Sequence, residues 1–161
     1  MADFPLFPVP PKLKELIMSL NAEQIMLVQS SFAKVKPISD QAAALFYARL
    51  FEIAPQVKPM FKGDMVEQGR KLMAMLNTVV NGLNNLQAIV PAAQNLARGH
   101  VGYGVRSEHY AYVGSALLYA LEQGLGKDFT PAVKQAWSDA YGLLSGVMIA
   151  AAEQVESRSA A

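Results

Sequence analysis

Cysteine is absent from the 161 residues of this sequence, which excludes disulfide frameworks, iron–sulfur clusters, thiolate zinc sites and cysteine nucleophiles. Charged side chains are scarce as well, at 17% of residues against a typical share of about 25%. The 14 basic and 13 acidic residues nearly cancel, so the sequence lacks the concentrated positive field that a nucleic acid backbone requires. Hydrophobic residues make up 52% of the chain. We therefore expect one heavily buried domain that binds no nucleic acid and has room for an apolar group inside.

Neither a secretory signal nor a membrane span is expected from the hydropathy pattern. The first twenty residues have no basic cluster before an apolar run, and four prolines between residues 5 and 11 interrupt the apolar stretch. The uncharged stretch from Leu72 to Ala97 is long enough to cross a membrane, but eight Asn, Gln and Pro residues interrupt it. These features predict a cytoplasmic protein.

Apolar residues follow the 3.6-residue period of the α-helix almost throughout, and no stretch alternates as a strand would. We therefore predict an all-α fold. Residues 1–20 are expected to form an extension with a proline-rich segment, Phe4–Pro11, and a short helix, Lys12–Leu20. Residues 21–161 are expected to form the main domain. Capping residues (Asn21, Ser39 or Asp40, Asp64, Ser107 and Thr130) and prolines predict helices at Asn21–Lys36, Ser39–Ile53, Asp64–Leu83, Pro91–His100, Ser107–Gln123 and Pro131–Glu156.

The familiar catalytic motifs are missing. Gly124–Lys127 lacks the remaining residues of a phosphate-binding loop, and neither Ser115 nor Ser145 lies in a nucleophile elbow. His100 and His109 are the only histidines, and neither has a second histidine at helical spacing. A metal site with one histidine needs a cofactor that supplies the other ligands. Haem meets this requirement, because its four nitrogens already bind the iron. Two axial positions remain, one for an imidazole and the other for a gas.

Several short motifs follow one another along the chain: Leu45–Phe51, Pro55 with Phe61, Gln68–Leu72, Leu96–His100, Tyr103–Val105 and Ala136–Gly142. Their order and spacing resemble those of bacterial single-domain globins. Similar patterns occur in the globin domains of flavohaemoglobins, the Vitreoscilla-type haemoglobin and the neuroglobin-like globins of methanotrophs. The resemblance implies a globin fold, a 3-over-3 helical sandwich around haem b, here with a short extra N-terminal helix.

The resemblance implies that His100 is the proximal ligand of the haem iron. The residues themselves agree, since His100 ends a predicted short helix with glycines behind it; a surface histidine at a helix end is the alternative. Six further residues resemble those that contact haem in globins, although ordinary core positions or, for the two cations, solvated side chains would also explain them. They are Phe61 and Leu72 on the haem faces, Tyr103 and Val105 in the following loop, and Lys71 with Arg98 near the propionates.

Tyr47 and Gln68 resemble the distal tyrosine and glutamine of flavohaemoglobins, whose side chains point at the bound gas. Dioxygen in such a pocket carries partial negative charge, so each donor would stabilise it by about 0.5–1.5 kcal/mol. Carbon monoxide is less polar and should benefit less. The alternatives are a core tyrosine bonded to a backbone carbonyl and a solvent-facing amide.

Tyr110, ten residues after His100, resembles the tyrosine that flavohaemoglobins place behind the proximal histidine. The glutamate that accompanies it in that family is missing, because Ala152 stands at its position and Glu153 follows one residue later. A shift of one residue turns a side chain by about 100° around a helix. The proximal relay is therefore not expected. His109 is expected to be exposed at the start of its helix, with a propionate contact as the alternative.

The resemblance predicts a haem protein that binds dioxygen reversibly and with high affinity, and that also binds carbon monoxide and nitric oxide. Such a protein would serve oxygen storage, transport or delivery as a monomer or homodimer. The first alternative is a nitric-oxide dioxygenase supplied with electrons by a separate reductase, because no reductase domain is seen in this chain. The second is a gas-sensing interaction module, for which Phe4–Pro11 is the only hint.

Overall fold

The protein is described by a computed structural model over residues 20–61, 63–85, 90–91, 94–95, 97–98 and 107–160. Side chains are described for these residues except 107, 108, 150 and 152–160. This part of the chain contains no strand, which confirms the all-α prediction. Its five long helices are α1 (Ala22–Val35), α2 (Ser39–Ile53), α3 (Met65–Asn81), α4 (Ser107–Leu125) and α5 (Pro131–Ala160).

Short 3-10 turns and helical fragments complete the described backbone. The turns are Lys36–Ile38, Pro55–Met60, Gly82–Asn84 and Gly126–Asp128. Residues 90–91, 94–95 and 97–98 have helical backbone, and all of them except Val90 fall inside the helix predicted from Pro91 to His100. The predicted helix Lys12–Leu20 lies outside the described residues, apart from Leu20. None of the described helices is long and apolar enough to cross a membrane.

Three helix starts carry the caps that the sequence predicts. Asn21 and Gln24 form a reciprocal capping box: the Gln24 backbone N–H donates to Asn21 Oδ1 at 2.8 Å and the Asn21 N–H donates to Gln24 Oε1 at 3.2 Å. Asp64 Oδ1 accepts from the backbone of Val66 at 2.9 Å, and Thr130 Oγ1 accepts from Val133 at 3.2 Å. Each bond satisfies a backbone donor that the first helical turn leaves without a partner.

The predicted cap of α2 is wrong. Neither Ser39 nor Asp40 caps this helix; the preceding residue is Ile38, which makes no side-chain capping bond. A capping residue usually has extended backbone, whereas Ile38 (φ −115°, ψ 30°) closes a 3-10 turn that leads directly into α2. The last helix is also longer than predicted and continues to Ala160.

Helices α2 and α3 cross closely at Gly69. A Cβ atom on Gly69 would lie 3.0 Å from the Cβ of Ala43, so glycine lets the two backbones approach. Ala43, Phe46, Tyr47 and Leu50 form the buried face of α2, as their spacing predicts. The crossing brings Tyr47, one turn after Ala43, close to the first turns of α3.

Helix α5 is tied to α1 and α4 by two hydrogen bonds. The Trp137 indole N–H donates to Ser31 Oγ at 2.8 Å, and both residues are buried. The Tyr141 hydroxyl donates to the backbone carbonyl of Tyr110 at 2.6 Å. Gly114 makes room for this second contact, because a Cβ there would lie 2.7 Å from the Tyr141 ring.

Candidate functional site

An aromatic cluster fixes the ring of Tyr47 beside the corner that follows α2. The Tyr47 ring is stacked with that of Phe51 at 6.0 Å and meets that of Phe61 edge-on at 5.4 Å. Phe51 and Phe61 also meet edge-on at 5.4 Å. Phe61 follows the Pro55–Met60 turn, so the two prolines of this turn help to place it. The cluster leaves the Tyr47 hydroxyl as the polar end of an otherwise apolar group.

The Tyr47 hydroxyl reaches the first turns of α3. It donates to the backbone carbonyl of Gln68 at 3.4 Å, a long and therefore weak hydrogen bond. Burial raises the pKa of Tyr47 to about 12, so the hydroxyl keeps its proton at neutral pH. Tyr47 and Gln68 are therefore neighbours, and the tyrosine is available as a hydrogen-bond donor.

A row of apolar side chains continues from Gln68 along one face of α3. Leu72, Met75 and Val79 lie on this face and are half-buried, whereas Leu76 is buried. Gln68 itself is half-buried, as is Phe61 at the neighbouring corner. The arrangement places an apolar surface directly beside the two polar groups of Tyr47 and Gln68. A flat apolar group with one polar ligand position, such as haem, fits this combination.

The two predicted propionate partners lie on helical segments. Lys71 is exposed on α3, next to Leu72, and Arg98 is half-buried and donates to Asn95 Oδ1. Lys71 can therefore reach an anionic group at the molecular surface. Among the described residues, no cluster of three or more His, Asp or Glu side chains could hold a metal ion by itself.

The predicted proximal residues are only partly covered by the structure. His100, Tyr103 and Val105 lie outside the described residues. Tyr110 is buried in the first turns of α4, and its backbone carbonyl accepts the bond from Tyr141. Burial raises the pKa of Tyr110 above the usual tyrosine value.

The expectation that His109 is exposed is wrong, since only 8% of its surface is accessible. Its ring centroid lies 6.4 Å from that of Tyr112 in the same helix, one turn away. The neighbouring Tyr110 is buried as well, so the first turns of α4 pack into the core. A histidine in this position behaves as part of the interior, despite standing near a helix start.

Alkaline pH should destabilise the protein through its buried tyrosines. Burial raises the pKa of Tyr47 to about 12, and burial together with the neighbouring Tyr110 raises that of Tyr141. In the unfolded chain a tyrosine ionises near its ordinary pKa of about 10, so unfolding releases protons above that pH. The free energy of unfolding should therefore fall as the pH rises from about 10 towards 12.

Urea unfolding of the wild type and Tyr47→Phe between pH 7 and pH 11 measures this effect. The stability difference between the two proteins should stay constant up to about pH 9 and shift in favour of the variant above about pH 10, since phenylalanine has no proton to lose. A difference that stays constant up to pH 11 would contradict the raised pKa of Tyr47.

Comparison with known proteins identifies the fold. The globin family profile matches residues 44–148, and the chain belongs to this family. A bacterial globin from Campylobacter jejuni has a TM-score of 0.74 and 27% identity, over 85% of this chain and 99% of that one. An engineered carbene transferase, a proposed nitric oxide dioxygenase from Rhodothermus marinus, has a TM-score of 0.80 and 27% identity, over 88% of this chain and 99% of that one. The predicted globin fold is confirmed.

Two flavohemoproteins are similar in sequence. That of Pseudomonas putida is 32% identical over 140 residues, which cover 84% of this chain and 36% of that protein. That of Rhodopirellula baltica is 31% identical over 133 residues, 81% of this chain and 33% of that protein. The chain thus spans about a third of the length of these curated relatives. Membership of the globin family implies that the protein binds haem, which agrees with the apolar face beside Tyr47 and Gln68.

Proposed function

We propose that the protein is a cytoplasmic haem b protein that binds dioxygen reversibly, with Tyr47 and Gln68 as hydrogen-bond donors to the gas. The observation that carries this proposal is the contact between the Tyr47 hydroxyl and the Gln68 carbonyl at 3.4 Å, beside the apolar face of α3. Haem would supply an open axial position for a diatomic gas. The protein would supply polar donors on one side of that position and apolar walls around it.

The Tyr47 hydroxyl is well suited to the donor role. Its bond to the Gln68 carbonyl is long, so little free energy is lost when the hydroxyl turns towards a ligand instead. Its ring is held by Phe51 and Phe61, so the donor is positioned before a ligand arrives. Such preorganisation raises affinity because less conformational freedom is lost on binding.

The remaining site residues would hold the haem itself. In this proposal His100 is the axial ligand, with Tyr110 behind it. Phe61 and Leu72 would pack against the ring, as would Tyr103 and Val105, which follow His100 in the sequence. Lys71, which is exposed on α3, and Arg98 would neutralise the propionates at the edge of the site.

A nitric-oxide dioxygenase is the second candidate, and similarity to two flavohemoproteins and to the Rhodothermus marinus protein favours it. That reaction joins nitric oxide and dioxygen to give nitrate and requires one electron for each turnover. A reductase, either on a separate chain or in a further domain, would have to supply the electron. The same donors, Tyr47 and Gln68, would then hold dioxygen until nitric oxide arrives.

Two measurements on the purified haem-loaded protein separate the candidates. Repeated cycles of oxygenation and deoxygenation, followed by absorption spectroscopy, should regenerate the ferrous protein each time if dioxygen binding is reversible. Nitric oxide consumption is then followed with NADH and an added flavin reductase. Reversible cycles with about one equivalent of nitric oxide consumed support the oxygen-binding role, whereas many equivalents consumed at a steady rate would establish the dioxygenase. Irreversible oxidation in the first cycle would contradict reversible binding.

A further inference from the structure

Asn81 ends helix α3 and is directly followed by Gly82, and this is the only Asn-Gly pair in the sequence. Glycine has no side chain, so its backbone nitrogen can approach the amide carbon of the preceding asparagine with little steric hindrance. Asn81 is exposed, and the hydrogen bond that its side chain donates to Asn77 Oδ1 is long, at 3.4 Å. The side-chain amide of Asn81 is therefore open to solvent and only weakly held.

The folded backbone keeps this pair in a conformation that disfavours a reaction between the two residues. Asn81 has helical dihedral angles, φ −67° and ψ −26°. The Gly82 N–H donates to the last backbone carbonyls of α3, those of Thr78, Val79 and Val80. A nitrogen engaged in this way is not placed to attack the side chain of Asn81. Attack therefore requires the last turn of α3 to open first.

Gln29 of α1 binds the chain on both sides of the pair. Its Nε2 donates to the backbone carbonyl of Val80 at 3.0 Å and to Asn84 Oδ1 at 2.7 Å. Val80 precedes the pair, whereas Asn84 follows it at the end of the Gly82–Asn84 turn, so one side chain spans the junction. Opening of the last turn of α3 disturbs both hydrogen bonds, and Gln29 therefore opposes that opening.

We propose that Asn81 is a site of spontaneous deamidation, and that Gln29 limits its rate. In the opened turn the Gly82 nitrogen forms a bond to Cγ of Asn81. The Cγ–Nδ2 bond breaks, and Nδ2 leaves as ammonia with the proton of the Gly82 amide. Water then opens the resulting succinimide ring at either carbonyl, which gives aspartate or isoaspartate. No electron is transferred and no haem takes part, so the site is independent of the proposed function.

Deamidation weakens the end of α3. The product places a negative charge at the C-terminus of the helix, where the helix dipole is already negative. A carboxylate has no hydrogen to donate, so the bond to Asn77 Oδ1 is lost. Leu76 and Val80 in the last turns are buried, and loosening of this end disturbs their packing. Asn81→Asp should therefore unfold at a lower temperature than the wild type, and an unchanged temperature would contradict this consequence.

Peptide mapping by mass spectrometry follows the reaction in the full-length protein during incubation in mildly alkaline buffer, with urea-unfolded protein as the positive control. Asn81 should be converted to the acid with time, whereas the exposed Asn85, which precedes leucine, should remain largely intact. Gly82→Ala should slow the conversion strongly, because alanine also adopts the φ of −87° found here but its side chain hinders the attack. An Asn81 that stays intact as long as Asn85 would overturn the proposal.

Gln29→Ala tests the protective role of Gln29. It removes both hydrogen bonds, so it should accelerate the conversion of Asn81 several-fold and also speed hydrogen exchange at the Gly82 N–H. Ser30→Ala, at the next and exposed position of α1, is the matched control and should change neither rate. If Gln29→Ala fails to fold, Gln29→Glu replaces it, since a carboxylate keeps the size of the side chain but cannot donate to the Val80 carbonyl. Wild-type rates in the folded variant would contradict the role of Gln29.

Discussion

Replacing His100 with alanine is expected to abolish tight haem binding, leaving only a small fraction of the wild-type haem content after purification. The chain has no cysteine, and its only other histidine is His109. His109 is buried in the first turns of α4. No equivalent ligand can therefore replace His100 without rearrangement of α4. Haem content is measured from the absorption spectrum of protein purified with and without added haem.

His109→Ala is the matched control, since it removes the other imidazole of the chain. This variant should keep its haem and its carbon-monoxide-bound spectrum, although loss of a buried side chain should lower its stability. The assignment of His100 would be contradicted if His100→Ala showed unchanged haem content and spectrum. It would also be contradicted if only the His109 variant lost its haem.

Tyr47→Phe and Gln68→Leu should each accelerate dioxygen release. Each substitution removes one donor, and a net hydrogen bond of about 0.5–1.5 kcal/mol corresponds to roughly a 2- to 10-fold change in affinity. The aromatic contacts of Tyr47 with Phe51 and Phe61 are kept in phenylalanine, so the ring should stay in place. Stopped-flow measurement of the dioxygen dissociation rate gives the effect directly.

The double variant and a less polar ligand provide the controls. Because both side chains would donate to the same gas molecule, their effects should couple, and the double variant should differ from the product of the two single changes. Carbon monoxide dissociation should change less than dioxygen dissociation in every variant. Tyr119→Phe, which removes a hydroxyl from a half-buried position of α4, should leave both rates unchanged. An unchanged dioxygen rate in Tyr47→Phe would contradict its role as donor.

The sequence predicts a helix start correctly where a capping side chain meets the backbone donors of the first turn. Asn21 with Gln24, Asp64 and Thr130 are caps in the structure because their side-chain oxygens match the donors of a first helical turn. Ser39 has the same chemistry, yet it does not cap α2, because the 3-10 turn Lys36–Ile38 leads directly into the helix and puts Ile38 at the N-cap position. Whether a residue caps a helix thus depends on the incoming backbone.

Long-range contacts could not be predicted in the same way. The hydrogen bond from Trp137 to Ser31 joins residues 106 positions apart, and neither local sequence predicts it. Gly114 did carry a usable signal: a glycine inside a helical pattern often marks close packing, and the Tyr141 ring occupies the space that it leaves. The burial of His109 could not be read from its helix alone, because the neighbouring elements decide it.

For the candidate site, helical spacing places Gln68 and Leu72 on one face of α3, but it cannot say which polar group meets Tyr47. The structure shows that the Gln68 carbonyl does so, at 3.4 Å. Close approach at Gly69 and Ala43 makes this contact possible, and such an approach depends on the crossing of two helices. The resemblance to flavohaemoglobins therefore suggested the pair, and helix packing brings the two residues into contact.

The most direct test of the account is the absorption spectrum of the purified protein in its ferric, ferrous and carbon-monoxide-bound forms. We expect an intense haem band that shifts when carbon monoxide is added to the ferrous protein. Such a shift requires both a bound haem and an accessible axial position. Failure of the folded protein to bind added haem would contradict the account and leave His100 without a role as an iron ligand.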